Sequence, residues 1–396
     1  MTKEPDSASG FEGTPPDQKE WSRLEPSSES LTISCETSPI PGPSSVDSYS
    51  QVVDTRVLRI VDANANRSLE GLRVIEDYLR FVLDDPHLTE SCKQLRHNLA
   101  DLLSVIPASQ RFMARDIAGD VGRDITTEQE QKRPLTESVV AASFQRVKQA
   151  LRCLEEYFKT LNAPNSPQLE SLRYEVYSLE KSAGITFHSH QRLSGAHLYV
   201  LMDGGENEQQ LTSLTQQLIS AGVDMIQLRD KKLEDASLLG RARLIKKLTA
   251  GSSTLFFVND RPDIARLSGA DGVHLGQSDM CLHDARQIVG AEGLIGKSTH
   301  SLEQALQAVG DGANYIGVGP VFPSTTKNFT TFPGLELLRS VALKIRLPVF
   351  AIGGIDQNNL AQVLGTGCSR VAVSGAVLHS DDPDRMTKAL QLQLQS

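Results

Sequence analysis

Three stretches of the chain each end an apolar run on charged or amide side chains. MIQL runs into Arg229, Asp230 and Lys231, FFV into Asn259, Asp260 and Arg261, and VHLG into Gln277, Ser278 and Asp279. Two aspartates on neighbouring strand ends can hold one Mg2+ and leave its other positions to water and a substrate phosphate, the usual arrangement for that ion. Asp260 and Asp279 are the candidate ligands. Arg229, Lys231 and Lys327 would neutralise the remaining phosphate charge, which favours a substrate carrying a diphosphate over a simple sugar or acid. Taken singly, each residue has an ordinary explanation: an Asp at a strand end commonly caps the next helix, and a Lys is commonly just solvated. Their joint occurrence on three successive strand ends carries the argument.

A second anionic site is suggested by AIGGI at 351 to 355 and VAVSGAV at 371 to 377, where exposed glycine amides could cradle a monophosphate. Alone, Gly353 and Gly354 would serve equally well in a tight turn. Between the two sites, GPVFPSTTKNF offers Ser324, Thr325, Thr326 and Lys327, which could reach inward and bind both substrates.

These residues need a scaffold that gathers strand ends on one face. Past Ser194, short β-rich runs recur with helical stretches between them: HLYVLMD, MIQLRDK, LFFVNDR, GVHLGQ, LIGKSTH, YIGVGPVF, PVFAIGG and RVAVSGAV. Eight strands alternating with helices in about 200 residues is the count for a (β/α)8 TIM barrel, whose active sites lie at the C-terminal ends of the strands. The pattern alone also admits an open doubly wound sheet, although HLYVLMDGGENE lacks the GxGxxG that usually follows its first strand. In a barrel, the loops after strands seven and eight commonly bind phosphate, which favours that role for the two glycine-bearing segments.

Residues 1–50 are rich in Ser, Pro, Glu, Asp and Thr and read as a disordered tail. From 51 to 190 the spacing predicts an all-helical domain of about four helices, beginning with VLRIVDANANRSLEGLRVIEDYLRFVL, in which Leu69, Leu72, Ile75, Leu79 and Val82 share a face. The barrel is expected over 191–396, with the boundary near Ala183 to Ser194. The chain of 396 residues, with a formal charge of -9, lacks the basic excess that nucleic-acid binding needs. It has no run of eighteen apolar residues and no apolar leader. Its five cysteines are scattered, without CxxC or CxxH spacing. Small-molecule substrates, no nucleic acid, no membrane and a cytoplasmic location are the expectations, with a homo-oligomer left open.

The motifs QLRDK (227–231), VNDR (258–261), GVHLGQSD (272–279), GKSTHS (296–301), GVGPVFPSTTK (317–327), AIGGI and VAVSGAV, in this order, resemble thiamine phosphate synthases from about Leu198 to Pro383. The resemblance implies an alkyl transferase of thiamine biosynthesis that uses Mg2+ on Asp260 and Asp279. Gln227, Leu228, Arg229, Asp230, Lys231, Asn259, Ser298 and Lys327 would contact a pyrimidine diphosphate. Arg229, Lys231, Ser298 and Lys327 would act in the reaction itself. Ser324, Thr325, Thr326 and Gly354 would contact a thiazole phosphate, with amides of Ser374 and Gly375 beneath its phosphate. The chain departs from the family at Ser374-Gly375, which replaces an apolar residue and Ser, and in NFTTFPG after Lys327. The implied mechanism is dissociative and needs no nucleophile, so His300 reads as a hydrogen-bonding or structural residue. A thiazole-modifying isomerase on the same barrel would not need the diphosphate residues. A catalytically silent sensor of thiamine phosphates is the alternative of another class.

In the helical domain, Arg67, Glu70, Arg73, Glu76, Asp77 and Arg80 read as a salt-bridged solvated face. The sharper expectation is that ARDIAGDVGRD (114–124) and Arg146, Lys148, Arg152, Glu155 and Glu156 converge with them on a polar pocket.

Overall fold

The computed structural model describes residues 54–122, 133–163, 165–323 and 333–395. The expected tail at 1–50 lies outside these. From Asp54 onward the chain forms one compact unit in which a helical layer precedes a closed barrel.

Among the described residues five helices come first: α1 Thr55–Phe81, α2 Pro86–Leu103, α3 Ala108–Met113, α4 Thr136–Thr160 and α5 Ser166–Leu193. Local signals set their starts. The Asp54 carboxylate accepts the Arg56 amide at 2.8 Å, and Asp85, followed by Pro86, accepts the Leu88 amide at 2.9 Å. Their apolar faces enclose Leu72, Ile75, Leu79, Leu99, Leu151, Leu154 and Phe158, all fully buried. The short α3 was not among the expected helices.

Most of the expected solvated face of α1 is exposed, with Glu76 the exception. Its buried carboxylate meets Arg96 at 3.0 Å and Arg73 at 3.4 Å. The converging polar pocket is met only in part. Arg115 reaches α1 and pairs with the buried Asp62, but Glu155 forms a separate cluster with Arg152, Lys159 and Arg173, while Lys148 pairs with Glu180 at 2.6 Å. Burial explains the separation: a carboxylate out of water needs its own cations, and each buried acid has recruited them from the neighbouring turn or helix.

Eight parallel strands follow, β1 Leu198–Met202, β2 Met225–Leu228, β3 Leu255–Asn259, β4 Gly272–Leu275, β5 Leu294–Thr299, β6 Tyr315–Val318, β7 Val349–Ile352 and β8 Val371–Val373. Each pairs with the next, and β8 returns to β1 with Val373 opposite Val200, so the sheet is a closed barrel rather than an open one. Residues on the outer side, such as Val200, Ile226, Val258 and Val318, join the apolar layer under the surrounding helices. Those on the inner side, Tyr199, Met225, Phe257, Leu294, Tyr315, Phe350 and Ala372, fill the interior. Four rings there meet edge to face or tilted, with centroids 5.4 to 6.0 Å apart. Gly296 makes room for them, since a β-carbon on it would lie 2.1 Å from Tyr315 Cζ and 2.5 Å from His274 Nδ1.

The two layers share α5. Its C-terminal half runs along the barrel, where Asn314 Nδ2 donates to Ser189 Oγ at 3.1 Å and Ser182 Oγ donates to the Val309 carbonyl at 3.4 Å. Its last residue, Leu193, is fully buried among the interior side chains and closes the barrel floor with Ala196. Leu193→Ala is expected to destabilise the protein by about 3 kcal/mol, the usual cost of an unfilled Leu site. Urea unfolding measures it, and a loss below about 1 kcal/mol would mean the floor collapses onto the gap.

Candidate active site at the C-terminal mouth of the barrel

The C-terminal ends of β2 to β5 bring the expected charged residues to one mouth. Asp260 follows β3 directly and adopts left-handed backbone, with φ 62°. Its amide donates to the His274 carbonyl at 2.8 Å, which anchors it across the end of β4. There Lys231 Nζ lies 3.1 Å from Asp260 Oδ2, and the Asp260 carboxyl shares a hydrogen bond with that of Asp279. Burial, and then the neighbouring Asp279, push Asp260 above the ordinary carboxylate range against the pull of Lys231. Burial acts upward on Asp279 too, but the bond with Asp260, the Gly276 amide at 2.7 Å, Lys231 and Lys297 outweigh it and hold Asp279 low.

Two carboxyls close enough to share a proton, one beside a cation, repel each other once both ionise. A divalent ion relieves that repulsion, and paired hard oxygens open to solvent fit Mg2+. Among the described residues no group of three or more His, Cys, Asp or Glu could hold a metal, so the protein would offer these two carboxylates and leave the rest of the shell to water and phosphate.

The other expected diphosphate residues occupy different places. Gln227 is 1% exposed and faces the interior, with Nε2 2.6 Å from Tyr199 OH. Ser298 Oγ is 2.9 Å from His274 Nε2. Asn259 ends β3 opposite His274 and is half-buried, as is Arg229, whose amide extends the β1 pairing to the Met202 carbonyl at 2.8 Å. The Leu228 side chain packs in the outer apolar layer, so only its backbone is near the mouth. The Asp230 carboxylate accepts amides of Lys232 at 2.8 Å, Leu233 at 3.1 Å and Gly204 at 3.1 Å, tying the loop after β2 to the loop after β1.

On the far side of the mouth, Gly353 and Gly354 have φ 106° and 62°, a turn that favours glycine. A β-carbon on Gly354 would also lie 2.4 Å from the Pro323 carbonyl oxygen. Ser374 and Gly375 begin a one-turn helix, Gly375–Leu378, where opening amides have no partner within the helix. Ser324, Thr325, Thr326 and Lys327 lie outside the described residues. The segment entering them is tied to β7, the amides of Val321 and Phe322 donating to Ile352 and Gly353 at 3.0 Å each. His300 Nδ1 lies 2.5 Å from the Gly319 carbonyl oxygen, in keeping with a hydrogen-bonding role.

Lys297 escaped the sequence reading. It lies on β5, its Nζ donates to the Gly276 carbonyl at 2.8 Å, and its charge helps hold Asp279 ionised. The GKSTH motif contains it, and its place on a strand beside the carboxylate loop was the available signal. His274, Tyr199 and Tyr315 also escaped, since each looks like ordinary strand filling.

Two family models match the chain. One, described as Thiamine monophosphate synthase, covers residues 198–377; the other, the ThiD2 family, covers 59–182, within the helical layer. A Thiamine-phosphate synthase of Rhodopirellula baltica is 46% identical over 335 residues, 82% of this chain and 89% of the relative. One from Nostoc punctiforme is 40% identical over 351 residues, 88% of this chain and 98% of the relative. An alignment of that length must include helical residues as well as the barrel. Among solved structures, a thiamine phosphate pyrophosphorylase of Pyrococcus furiosus is 34% identical, with a TM-score of 0.46, and covers 52% of this chain and 98% of its own.

Proposed function

The chain belongs to the thiamine-phosphate synthase family, an enzyme of the transferase class in thiamine biosynthesis, and on that premise we propose that it joins an aminopyrimidine carrying a methylene diphosphate to a thiazole carrying a monophosphate. The products are thiamine phosphate and diphosphate. The observation that supports this best is the Lys231, Asp260 and Asp279 cluster at adjacent strand ends. A monophosphate alone would not call for a cation and a metal-competent carboxylate pair together.

In the reaction, the bond from the pyrimidine methylene to the diphosphate oxygen breaks and its electron pair leaves with the diphosphate. The electron-rich aminopyrimidine shares the positive charge, and the thiazole nitrogen then gives its lone pair to the methylene carbon. No enzyme nucleophile is needed. Arg229, Lys231, Ser298 and Lys327 stabilise the departing charge, and Gln227 and Asn259 hold the pyrimidine. The Asp230 carboxylate acts indirectly here, by fixing the loop that carries Arg229 and Lys231. Mg2+ on Asp260 and Asp279 would supply further charge neutralisation at the leaving group. Ser324, Thr325, Thr326 and Gly354 orient the thiazole, and amides of Ser374 and Gly375 bind its phosphate.

The division into residues 1–50, a helical domain at 51–190 and a barrel at 191–396 belongs to the same proposal, supported by the separate spans of the two family models. So does a cytoplasmic location; no described helix is long and apolar enough to cross a membrane. The purified full chain, given both substrates, is expected to release one diphosphate per thiamine phosphate formed, and to require Mg2+. Tight binding of both ligands without turnover would overturn catalysis in favour of a sensor.

A further inference from the structure

Five side chains from five strands stand in one hydrogen-bonded line across the barrel interior. Gln227 Nε2 on β2 lies 2.6 Å from Tyr199 OH on β1, which lies 3.0 Å from Tyr315 OH on β6. Tyr315 OH is 3.2 Å from His274 Nδ1 on β4, and His274 Nε2 is 2.9 Å from Ser298 Oγ on β5. The members from Gln227 to His274 are all buried, so water does not compete for these bonds. The two ends of the line, Gln227 and Ser298, are residues assigned above to the pyrimidine diphosphate.

Such a line has a direction, because each hydroxyl carries one proton and a neutral imidazole carries one. With Gln227 donating at one end, Tyr199 passes its proton toward Tyr315, and Tyr315 passes its own toward His274 Nδ1. The imidazole proton is then on Nε2 and points at Ser298 Oγ. Having accepted there, Ser298 turns its own proton away from His274. The opposite direction would aim the Ser298 proton at His274 and leave only its lone pairs for a ligand.

We propose that the Gln227 amide sets this direction, so that His274 is held as the Nε2–H tautomer and Ser298 serves as a hydrogen-bond donor to the bound diphosphate. The functional half of the inference rests on the site reading given above. A donor stabilises an anionic leaving group, whereas lone pairs facing it would repel it. Tyr199, Tyr315 and His274 are positioning residues, each acting through Ser298. With Nε2 engaged, Gln227 Oε1 is buried without a partner among the described residues.

The test begins with the tautomer in the ligand-free full chain. Nitrogen-15 spectra of histidine-labelled protein distinguish a protonated ring nitrogen from a bare one, and loss of one signal set in His274→Gln assigns the residue. The expected result is protonation at Nε2 in the natural protein and a mixture of tautomers in Tyr315→Phe and in Tyr199→Phe, which remove one hydroxyl each but keep the rings. An Nδ1–H or doubly protonated His274 in the natural protein, or an unchanged Nε2–H tautomer in both variants, would overturn the relay.

Kinetics then address Ser298. Each Tyr→Phe variant is expected to lose roughly five- to tenfold in turnover, about one neutral hydrogen bond, with the KM for thiazole phosphate unchanged. His274→Gln, which can still donate toward Ser298, should retain more turnover than His274→Leu. Tautomers as expected with turnover unaffected would sink the donor role while leaving the relay intact. Failure of the natural protein to form thiamine phosphate would instead be a failure of the functional reading, visible in that control.

Discussion

Asp260→Asn is expected to lower magnesium-dependent turnover by about a thousandfold, some 4 kcal/mol of transition-state stabilisation, while thiazole phosphate still binds within about a factor of two. Asparagine is the informative replacement because Asp260 has φ 62°, a conformation that Asn tolerates and Ala does not. The backbone anchor to His274 therefore survives, and what is lost is one anionic oxygen ligand. Lys231 loses its ion-pair partner at 3.1 Å, and Asp279 loses a carboxyl neighbour. Any metal still bound would rest on Asp279 alone. The separation of substrates follows from position: Gly354, Ser374 and Gly375 belong to the ends of β7 and β8, several strands around the barrel from Asp260. Titration calorimetry with each substrate, beside steady-state rates, makes the comparison. Equal loss of affinity for both would contradict two distinct anion sites.

Gly272→Ala should be severely destabilising for a single added methyl group, costing about 4 kcal/mol or more. A β-carbon there would lie 2.1 Å from the Leu294 carbonyl oxygen, 2.8 Å from the Leu294 carbonyl carbon and 2.6 Å from Phe257 Cε1. A flexible side chain could swing aside, but a strand carbonyl held in register opposite Gly272 cannot without opening the sheet. Gly240→Ala is the matching control. Gly240 is exposed within the helix Asp235–Thr249, with nothing within 4 Å of an added β-carbon, so the same substitution should stabilise by about 0.5–1 kcal/mol. Thermal unfolding of the two variants should therefore move in opposite directions, with Gly272→Ala lower by about 10 °C. A neutral Gly272→Ala would mean that the β4 and β5 pairing is loose.

The barrel and its charged mouth were legible because chemistry and periodicity coincide there: the runs before RDK, NDR and QSD end where polar residues begin, so these motifs announce both a strand end and a candidate ligand site. Other features depend on distance in sequence. Tyr199 and Tyr315 lie 116 residues apart and touch through their hydroxyls. Each looks like a β-forming aromatic, and only closure of the barrel turns them into neighbours. Asp230 reads as one more ligand-facing carboxylate, yet it accepts two amides from its own turn and a third from Gly204 in the loop after β1. Glu76 belongs to a charged pattern that suggests solvent and Glu155 to one that suggests a shared polar pocket, and their burial depends on Arg96 and Arg173 from other helices. Helix α5 continues through the stretch expected to divide the chain, because its apolar side changes partner from helices to barrel without a break in spacing.

That continuity bears on how the molecule is made. Synthesis proceeds from the N-terminus, so every residue of α5 exists before β1 does, and α1, α2 and α4 are already available to pack against it. A parallel barrel is slow to close, since β1 cannot find β8 until most of the chain has emerged, about 170 residues later. A helical layer folded by then would present Leu193, the apolar side chain on which the first inward layer of the strands settles, and so offer the barrel a floor before it has walls.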